Sequence, residues 1–158
     1  MARRGTSRGR RGYTLVELLV VVIMVGVLPT LAVIGVRKYV FAAKTSEAIN
    51  MIGSIKAAQE AYKDETFSYL DASNGDLTSL YPMQGTPPGK TKYHWVQESH
   101  PDYPRWRALG IGTANAVQFG YAMVAGGATD AIPQPGTGQV FSWPAPNGPW
   151  YVVRAVGD

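Results

Sequence analysis

The residues that could bind a metal ion or catalyse a reaction are few and poorly spaced. His94 and His100 are the only histidines, and Glu98 and Asp102 are the carboxylates nearest to them. Their spacing fits no standard zinc pattern. The chain has no cysteine, which excludes structural disulfides and cysteine-based zinc or redox sites. We expect no metal and no cofactor here.

Residues 71–76, with the sequence DASNGD, are only superficially like a calcium loop. Gly75 falls where the fifth-position ligand of an EF-hand belongs, and Pro82 falls where its closing glutamate belongs. We interpret the segment as a turn. The chain contains no nucleophile elbow, phosphate loop or nucleotide fingerprint, so we predict that it is not an enzyme.

One carboxylate is notable for its position. Glu17 directly precedes Leu18–Val36, a run of 19 residues without a charged side chain. Such a run can span a bilayer core as a helix, and this chain is too short to enclose it on every side. A carboxylate beside an apolar span is costly unless it finds a partner or an interface. Glu17 is therefore predicted either to pair with a positive group or to reach the lipid headgroups.

Basic residues are concentrated before this span. Five of the 15 are arginines that precede Gly12, namely Arg3, Arg4, Arg8, Arg10 and Arg11, and no acidic residue precedes Glu17. Without residues 1–12 the chain keeps 10 basic and all 11 acidic side chains. The net charge of +4 therefore belongs to the N-terminal segment and does not predict nucleic-acid binding. The same charges predict a cytoplasmic N-terminus.

The junction at residues 12–18, GYTLVEL, resembles the class III leader of type IV pilins and pseudopilins. The family pattern is Gly, then Phe-Thr-Leu-Ile-Glu-Leu, then an apolar helix. The resemblance implies that a prepilin peptidase cleaves after Gly12 and methylates the amine of Tyr13. Thr14 stands where the family expects it. By the same resemblance, Glu17 pairs with the N-terminal amine of a neighbouring subunit and sets the filament register.

Three residues within the span could interrupt its helix. Gly26 falls where the family often has a glycine, while Pro29 lies earlier than the usual proline, whose place is taken by Ile34. Proline removes a backbone donor, so we expect the helix to bend or loosen between Gly26 and Gly35. The alternative, that Pro29 is simply tolerated in a membrane helix, remains open.

The remaining elements predict an α+β fold, in which a long N-terminal helix packs on a small antiparallel sheet, as in pilins. We expect the helix to continue past residue 38 and to end near Asp64–Ser68. Its predicted apolar stripe is Ile49, Ile52, Ile55, Gln59 and Tyr62. Residues 66–92 are predicted to be a loop.

Three or four antiparallel strands are predicted after the loop, from four candidate segments, with the last two candidates flanking a hairpin loop of sequence PAPNGP. The candidates are Tyr93–Gln97, Val117–Val124, Gln139–Trp143 and Trp150–Val156. The predicted organisation is a leader at residues 1–12, a membrane and filament-core helix at 13–38, and a head at 39–158 with its sheet at 93–158.

The predicted function is that of a structural subunit of a type IV pilus-like filament, and within that class a minor pilin. A major pilin and a type II secretion pseudopilin are the alternatives, and an uncleaved, signal-anchored periplasmic binding module is the alternative of another class. The resemblance implies other pilin subunits, a prepilin peptidase, an assembly ATPase and a platform protein as partners. The position of the basic residues in the leader predicts no direct nucleic-acid partner. It also implies a single pass of the bacterial inner membrane with a periplasmic head, followed by an extracellular or periplasm-spanning filament.

Overall fold

The computed structural model describes residues 12–85, 88–136, 138 and 140–157. In chain order the elements are α1 (Leu15–Thr66), α2 (Tyr103–Ala108), β1 (Gly120–Gly126) and β2 (Trp150–Val156). The chain divides into two compact units at Ala42 and Ala43. Of the predicted leader, residues 1–11 lie outside the described residues.

In the first unit, α1 is formed by a run of mostly aliphatic residues that contains two glycines and one proline. It continues without interruption through Gly26, Pro29 and Gly35. The hydroxyl of Thr30 donates a hydrogen bond of 2.7 Å to the carbonyl of Val27 within this stretch. The helix of the isolated chain is therefore unbroken, and loosening at these residues during assembly stays a prediction.

In the second unit, α1 presents one face to the core. The buried residues are Ala48, Met51, Ile55 and Gln59, spaced by three or four positions as one helical face requires. The predicted stripe was partly wrong, because Ile49 is 62% exposed. Isoleucine is strongly apolar, but the smaller Ala48 and the flexible Met51 occupy the face that meets the head. α1 ends at Thr66, within the predicted range.

The core of the second unit is built from aromatic side chains. Tyr81 packs against two tryptophans, stacked on Trp106 with ring centroids 5.3 Å apart and edge-on to Trp95 at 5.0 Å. Tyr121 of β1 packs against Trp95 at 6.0 Å. Tyr81, Trp106 and Tyr121 are completely buried. Ile55 of α1 belongs to the same cluster, so helix, loop and sheet all contribute to it. A second, smaller cluster contains Leu77, Ala122 and Val124.

The sheet is smaller than the sequence predicted. Within the described residues it has two antiparallel strands, with β1 paired to β2 from Gly120 opposite Val156 to Gly126 opposite Trp150. The Tyr93 segment contributes only an isolated bridge to Val117. A long N-terminal helix with a small antiparallel sheet confirms the predicted α+β class.

The predicted hairpin between Gln139–Trp143 and Trp150–Val156 was wrong. β2 pairs with β1 instead, and the described part of the earlier segment, residues 140–143, is not a strand. The backbone of Phe141 is bonded to a side chain rather than to a strand. Its N–H donates to Oε1 of Gln134 at 2.8 Å, and its carbonyl accepts from Nε2 at 2.9 Å.

Candidate functional site

The N-terminal end of α1 is closed by a reciprocal pair of hydrogen bonds between Thr14 and Glu17. Oε2 of Glu17 accepts from the backbone N–H and from the hydroxyl of Thr14, both at 3.0 Å. The same hydroxyl accepts from the N–H of Glu17 at 3.2 Å. This is a capping box, which satisfies donors that the first helical turn leaves unpaired. The helix therefore begins where the predicted site lies.

The capping box uses only one oxygen of the Glu17 carboxylate. Both hydrogen bonds from Thr14 go to Oε2, and Oε1 has no protein donor among the residues that the structure describes. The site is open, since Tyr13 is 82% exposed and Leu15 is 83% exposed. Glu17 thus keeps a fixed orientation and one oxygen available to an incoming positive group.

The surface that follows Glu17 is apolar and exposed along its whole length. Every described residue from Gly12 to Val36 is exposed. Among the described residues, α1 is the one helix long and apolar enough to cross a membrane. In water such a surface is strongly unfavourable. The segment therefore requires lipid or other protein chains around it.

Two basic residues at the far end of this surface were not singled out from the sequence. Arg37 and Lys38 directly follow Val36, and both are exposed. Tyr39 is next and is 76% exposed. Arg37 and Lys38 are the first charged residues after the span. This position could have identified them from the sequence, because basic and tyrosine side chains are enriched where helices leave a membrane.

The two histidines and their neighbouring carboxylates do not lie together in the fold. His94 and Glu98 are exposed, whereas His100 and Asp102 are buried. Nδ1 of His100 accepts a hydrogen bond of 3.1 Å from the N–H of Asp102. The same nitrogen lies 3.9 Å from the Asp102 carboxylate.

The carboxylate of Asp102 ties two loops together. It accepts from the hydroxyl of Ser79 at 2.6 Å and from the guanidinium of Arg105 at 3.2 Å. Arg105 also donates to Oδ1 of Asn74 at 2.9 Å. These bonds use both oxygens of the Asp102 carboxylate to hold the local structure. No group of three metal-ligating side chains occurs within the described part of the chain.

Residues 71–76 form the turn that the sequence predicted. Asn74 and Gly75 have positive φ values of 51° and 79°, a conformation that asparagine and glycine adopt more readily than other residues. Asp76 accepts from the N–H and hydroxyl of Thr78, both at 2.7 Å. The carboxylate is used to close the turn.

The sequence predicted that Gln59 lies on the core-facing side of α1, but it did not predict the role of its side chain. The amide of Gln59 donates to the carbonyl of Leu70 at 2.7 Å and accepts from its N–H at 3.0 Å. The side chain of Gln59 therefore pairs with the backbone of Leu70 as a neighbouring strand would, where the chain runs back beside α1. A buried glutamine between apolar neighbours is the sequence signal for such a role, because its amide must be satisfied.

Comparison with known proteins shows what the N-terminal segment resembles. The family model for the prokaryotic N-terminal methylation motif matches residues 7–28. The chain is 34% identical over 64 residues to the type IV major pilin protein PilA of Myxococcus xanthus, which covers 40% of this chain and 29% of that protein. It is 34% identical over 93 residues to the type II secretion system core protein G of Pseudomonas aeruginosa, covering 59% and 63%.

A third relative is the fimbrial protein EcpC of Eikenella corrodens, 37% identical over 57 residues, which covers 35% of this chain and 37% of that protein. The chain thus spans less than two thirds of the length of each of these relatives. No solved structure gives a significant match. The match at the motif and the three relatives confirm the resemblance: the chain carries the prokaryotic N-terminal methylation motif of the type IV pilins and pseudopilins.

Proposed function

We propose that this chain is the precursor of a structural subunit of a type IV pilus-like filament. The observation that carries the proposal is an apolar helical segment, exposed from Leu15 to Val36, that begins at the Thr14–Glu17 capping box, at the position of the methylation motif. A helix of this kind suits two environments in succession, a bilayer and the core of a filament. The protein is then a structural component, and not an enzyme.

Processing supplies the group that Glu17 lacks. Cleavage after Gly12 creates an amine on Tyr13, and in a filament core the amine of one subunit approaches the Glu17 carboxylate of its neighbour. Opposite charges attract strongly in such an apolar environment, and an unpaired charge there is costly. The pair therefore favours one axial register. Oε1, which the capping box leaves available, is the acceptor.

The proposal places the precursor in the bacterial inner membrane with a cytoplasmic N-terminus and a periplasmic head. Five arginines before Gly12 favour this orientation. Its partners are then a prepilin peptidase, other pilin subunits, and an assembly platform with its ATPase. The final location is an extracellular or periplasm-spanning filament.

Intact-mass measurement and N-terminal sequencing of the chain from its native membrane test this proposal. We expect a chain that starts at N-methylated Tyr13. Gly12→Val should block cleavage, whereas the control Gly26→Ala should be processed normally, because a Cβ added at Gly26 meets no atom within 4 Å. A parent chain that still starts at Met1 or Ala2 beside an active peptidase contradicts the proposal and favours the anchored binding module.

Within this class we propose a minor, priming subunit. The supporting features are Tyr13 in place of the usual phenylalanine, the displaced Pro29 and the lack of cysteine to staple the C-terminal region. Counting copies of the chain in sheared filaments tests this: a few copies per filament support a minor subunit, and a dominant band contradicts it.

A type II secretion pseudopilin is the second candidate. The observation in its favour is the 93-residue match to core protein G, the longest of the three matches described above. It predicts that deletion of this chain blocks export of secreted enzymes while surface pili remain. The minor-pilin assignment predicts the reverse.

A further inference from the structure

A ring of side chains surrounds α1 where the charge-free run ends. It consists of Arg37, Lys38, Tyr39 and Val40, here called the Arg37–Val40 collar. Successive residues of an α-helix are rotated by about 100°, so four in a row encircle the axis. All four are exposed, Tyr39 by 76% and Val40 by 46%. A protein groove contacts one face of a helix, whereas lipid surrounds it on every side.

The spacing of the collar from Glu17 equals the thickness of a bilayer core. Arg37 lies 20 residues after Glu17, and α1 is helical throughout that interval. At about 1.5 Å per residue the separation is about 30 Å, and a hydrocarbon core is about 30 Å thick. When Glu17 is level with one set of headgroups, Arg37 is level with the other.

The chemistry of the collar matches an anionic headgroup. Arg37 and Lys38 can bind lipid phosphate, and the ring of Tyr39 is suited to the headgroup region. In the part of the chain that the structure describes, neither basic side chain has a hydrogen-bond or ion-pair partner. Their charges are therefore available to a ligand outside the chain.

We propose that the Arg37–Val40 collar binds anionic phospholipid headgroups in the leaflet opposite the N-terminus and so fixes the depth of the helix before assembly. The inference rests on the membrane anchoring of the proposed function. It assigns a task to residues outside the methylation motif, which ends at residue 28. Extraction into a filament must break these contacts.

The test uses the full chain in vesicles that mix phosphatidylglycerol with phosphatidylcholine. Because the chain has no cysteine, Val40→Cys places a single fluorophore in the collar. Quenching by spin-labelled phosphatidylglycerol is compared with quenching by spin-labelled phosphatidylcholine. This quenching is short-range, so the probe reports the lipids of its own leaflet and not those beside the N-terminal arginines.

We expect the anionic lipid to be preferred beside the probe and the preference to weaken with salt. Each basic side chain near an anionic surface contributes roughly a fivefold preference. Arg37→Gln with Lys38→Gln should therefore reduce the preference by up to about 30-fold. The exchange variant Arg37→Lys with Lys38→Arg keeps the charge and should keep the preference. Lys56→Gln with Lys90→Gln, two exposed head lysines, should also leave it unchanged.

The outcomes separate this inference from the proposal on which it rests. An anionic preference that is unchanged in the Arg37→Gln, Lys38→Gln variant overturns the lipid-binding collar while membrane anchoring stands. A probe that neither lipid quenches overturns the membrane anchoring, and the collar with it. If the charge-conserving exchange loses the preference as fully as the glutamine variant, the collar does not act through its charge.

Discussion

In the first unit, Leu15 is 83% exposed, whereas Trp106 of the second unit is completely buried. Both units are rich in apolar residues, but within the part of the chain that the structure describes only the second contains a core that encloses them. The described residues of the first unit, 12–42, form a single helix with an N-terminal extension, and none of them covers it. The comparison shows what must stabilise each unit. Internal packing stabilises the second unit, whereas the helix of the first unit needs contacts with lipid or neighbouring chains.

Removing the first unit is the change with the largest expected effect. A chain of residues 43–158 should be soluble without detergent, since it retains the aromatic core and the buried face of α1. The full chain should partition into membranes. Fractionation followed by sedimentation measures both. A shortened chain that still partitions into membranes, or that shows no cooperative unfolding, contradicts the division between the units.

Truncating Trp106 should destabilise the head severely. Trp106→Ala removes a fully buried ring that packs against Tyr81 and Trp95, at an expected cost of about 3–5 kcal/mol. Thermal unfolding followed by near-ultraviolet circular dichroism in detergent should show a much lower midpoint. The matched change in the first unit, Ile23→Ala, removes a 56% exposed side chain and should leave that midpoint unchanged. If Trp106→Ala and Ile23→Ala lowered the unfolding midpoint equally, the two units would not differ in their internal packing.

Loss of the Gln59 amide should have a smaller effect. Gln59→Leu keeps the volume but leaves the N–H and carbonyl of Leu70 without their partner. An unsatisfied buried polar group costs about 1–3 kcal/mol, so we expect about 2–3 kcal/mol of destabilisation in urea unfolding. Ser54→Ala on the exposed face of the same helix is the control, expected within about 0.5 kcal/mol of the parent. A neutral Gln59→Leu would show that Leu70 finds other partners.

The smallest expected effect depends on pH. Burial raises the pKa of the Asp71 carboxyl above its ordinary value of 3.8, so folding favours the protonated form. The resulting stability is fully present below about pH 3.8 and is lost as the pH rises through the raised pKa. Asp71→Asn should therefore raise the unfolding temperature of the head at pH 7, and the increase should vanish in acid. An increase that is the same at every pH contradicts this cause.

The sequence predicted the elements whose signals are local. The 19-residue charge-free run and the end of α1 near Asp64–Ser68 follow from composition and from helix period. The strand pairing did not follow, because it depends on contacts between residues far apart in the chain, such as Gly120 with Val156. The short α2, with Pro104 in its first turn, has too few residues for a periodic signal.

The candidate site was predicted in its residues and missed in its local geometry. Thr14 and Glu17 were identified through the family resemblance, and their roles in processing and register stay predictions. Their spacing is also the signature of a capping box, which the structure contains. The collar at Arg37 was missed because charged residues beside a span are common and become informative only with the bilayer distance from Glu17.

The central claim is that Glu17 joins neighbouring subunits through the helix that the chain itself leaves uncovered. We would compare Glu17→Ala with the exposed control Glu65→Ala by measuring how much of each chain enters sheared filaments and how much stays in the membrane. Loss of a partner for a buried charge costs about 3–5 kcal/mol, so Glu17→Ala should be depleted from filaments by more than about tenfold. It should remain in the membrane, while Glu65→Ala assembles normally. Incorporation of Glu17→Ala at the parental level would contradict the account.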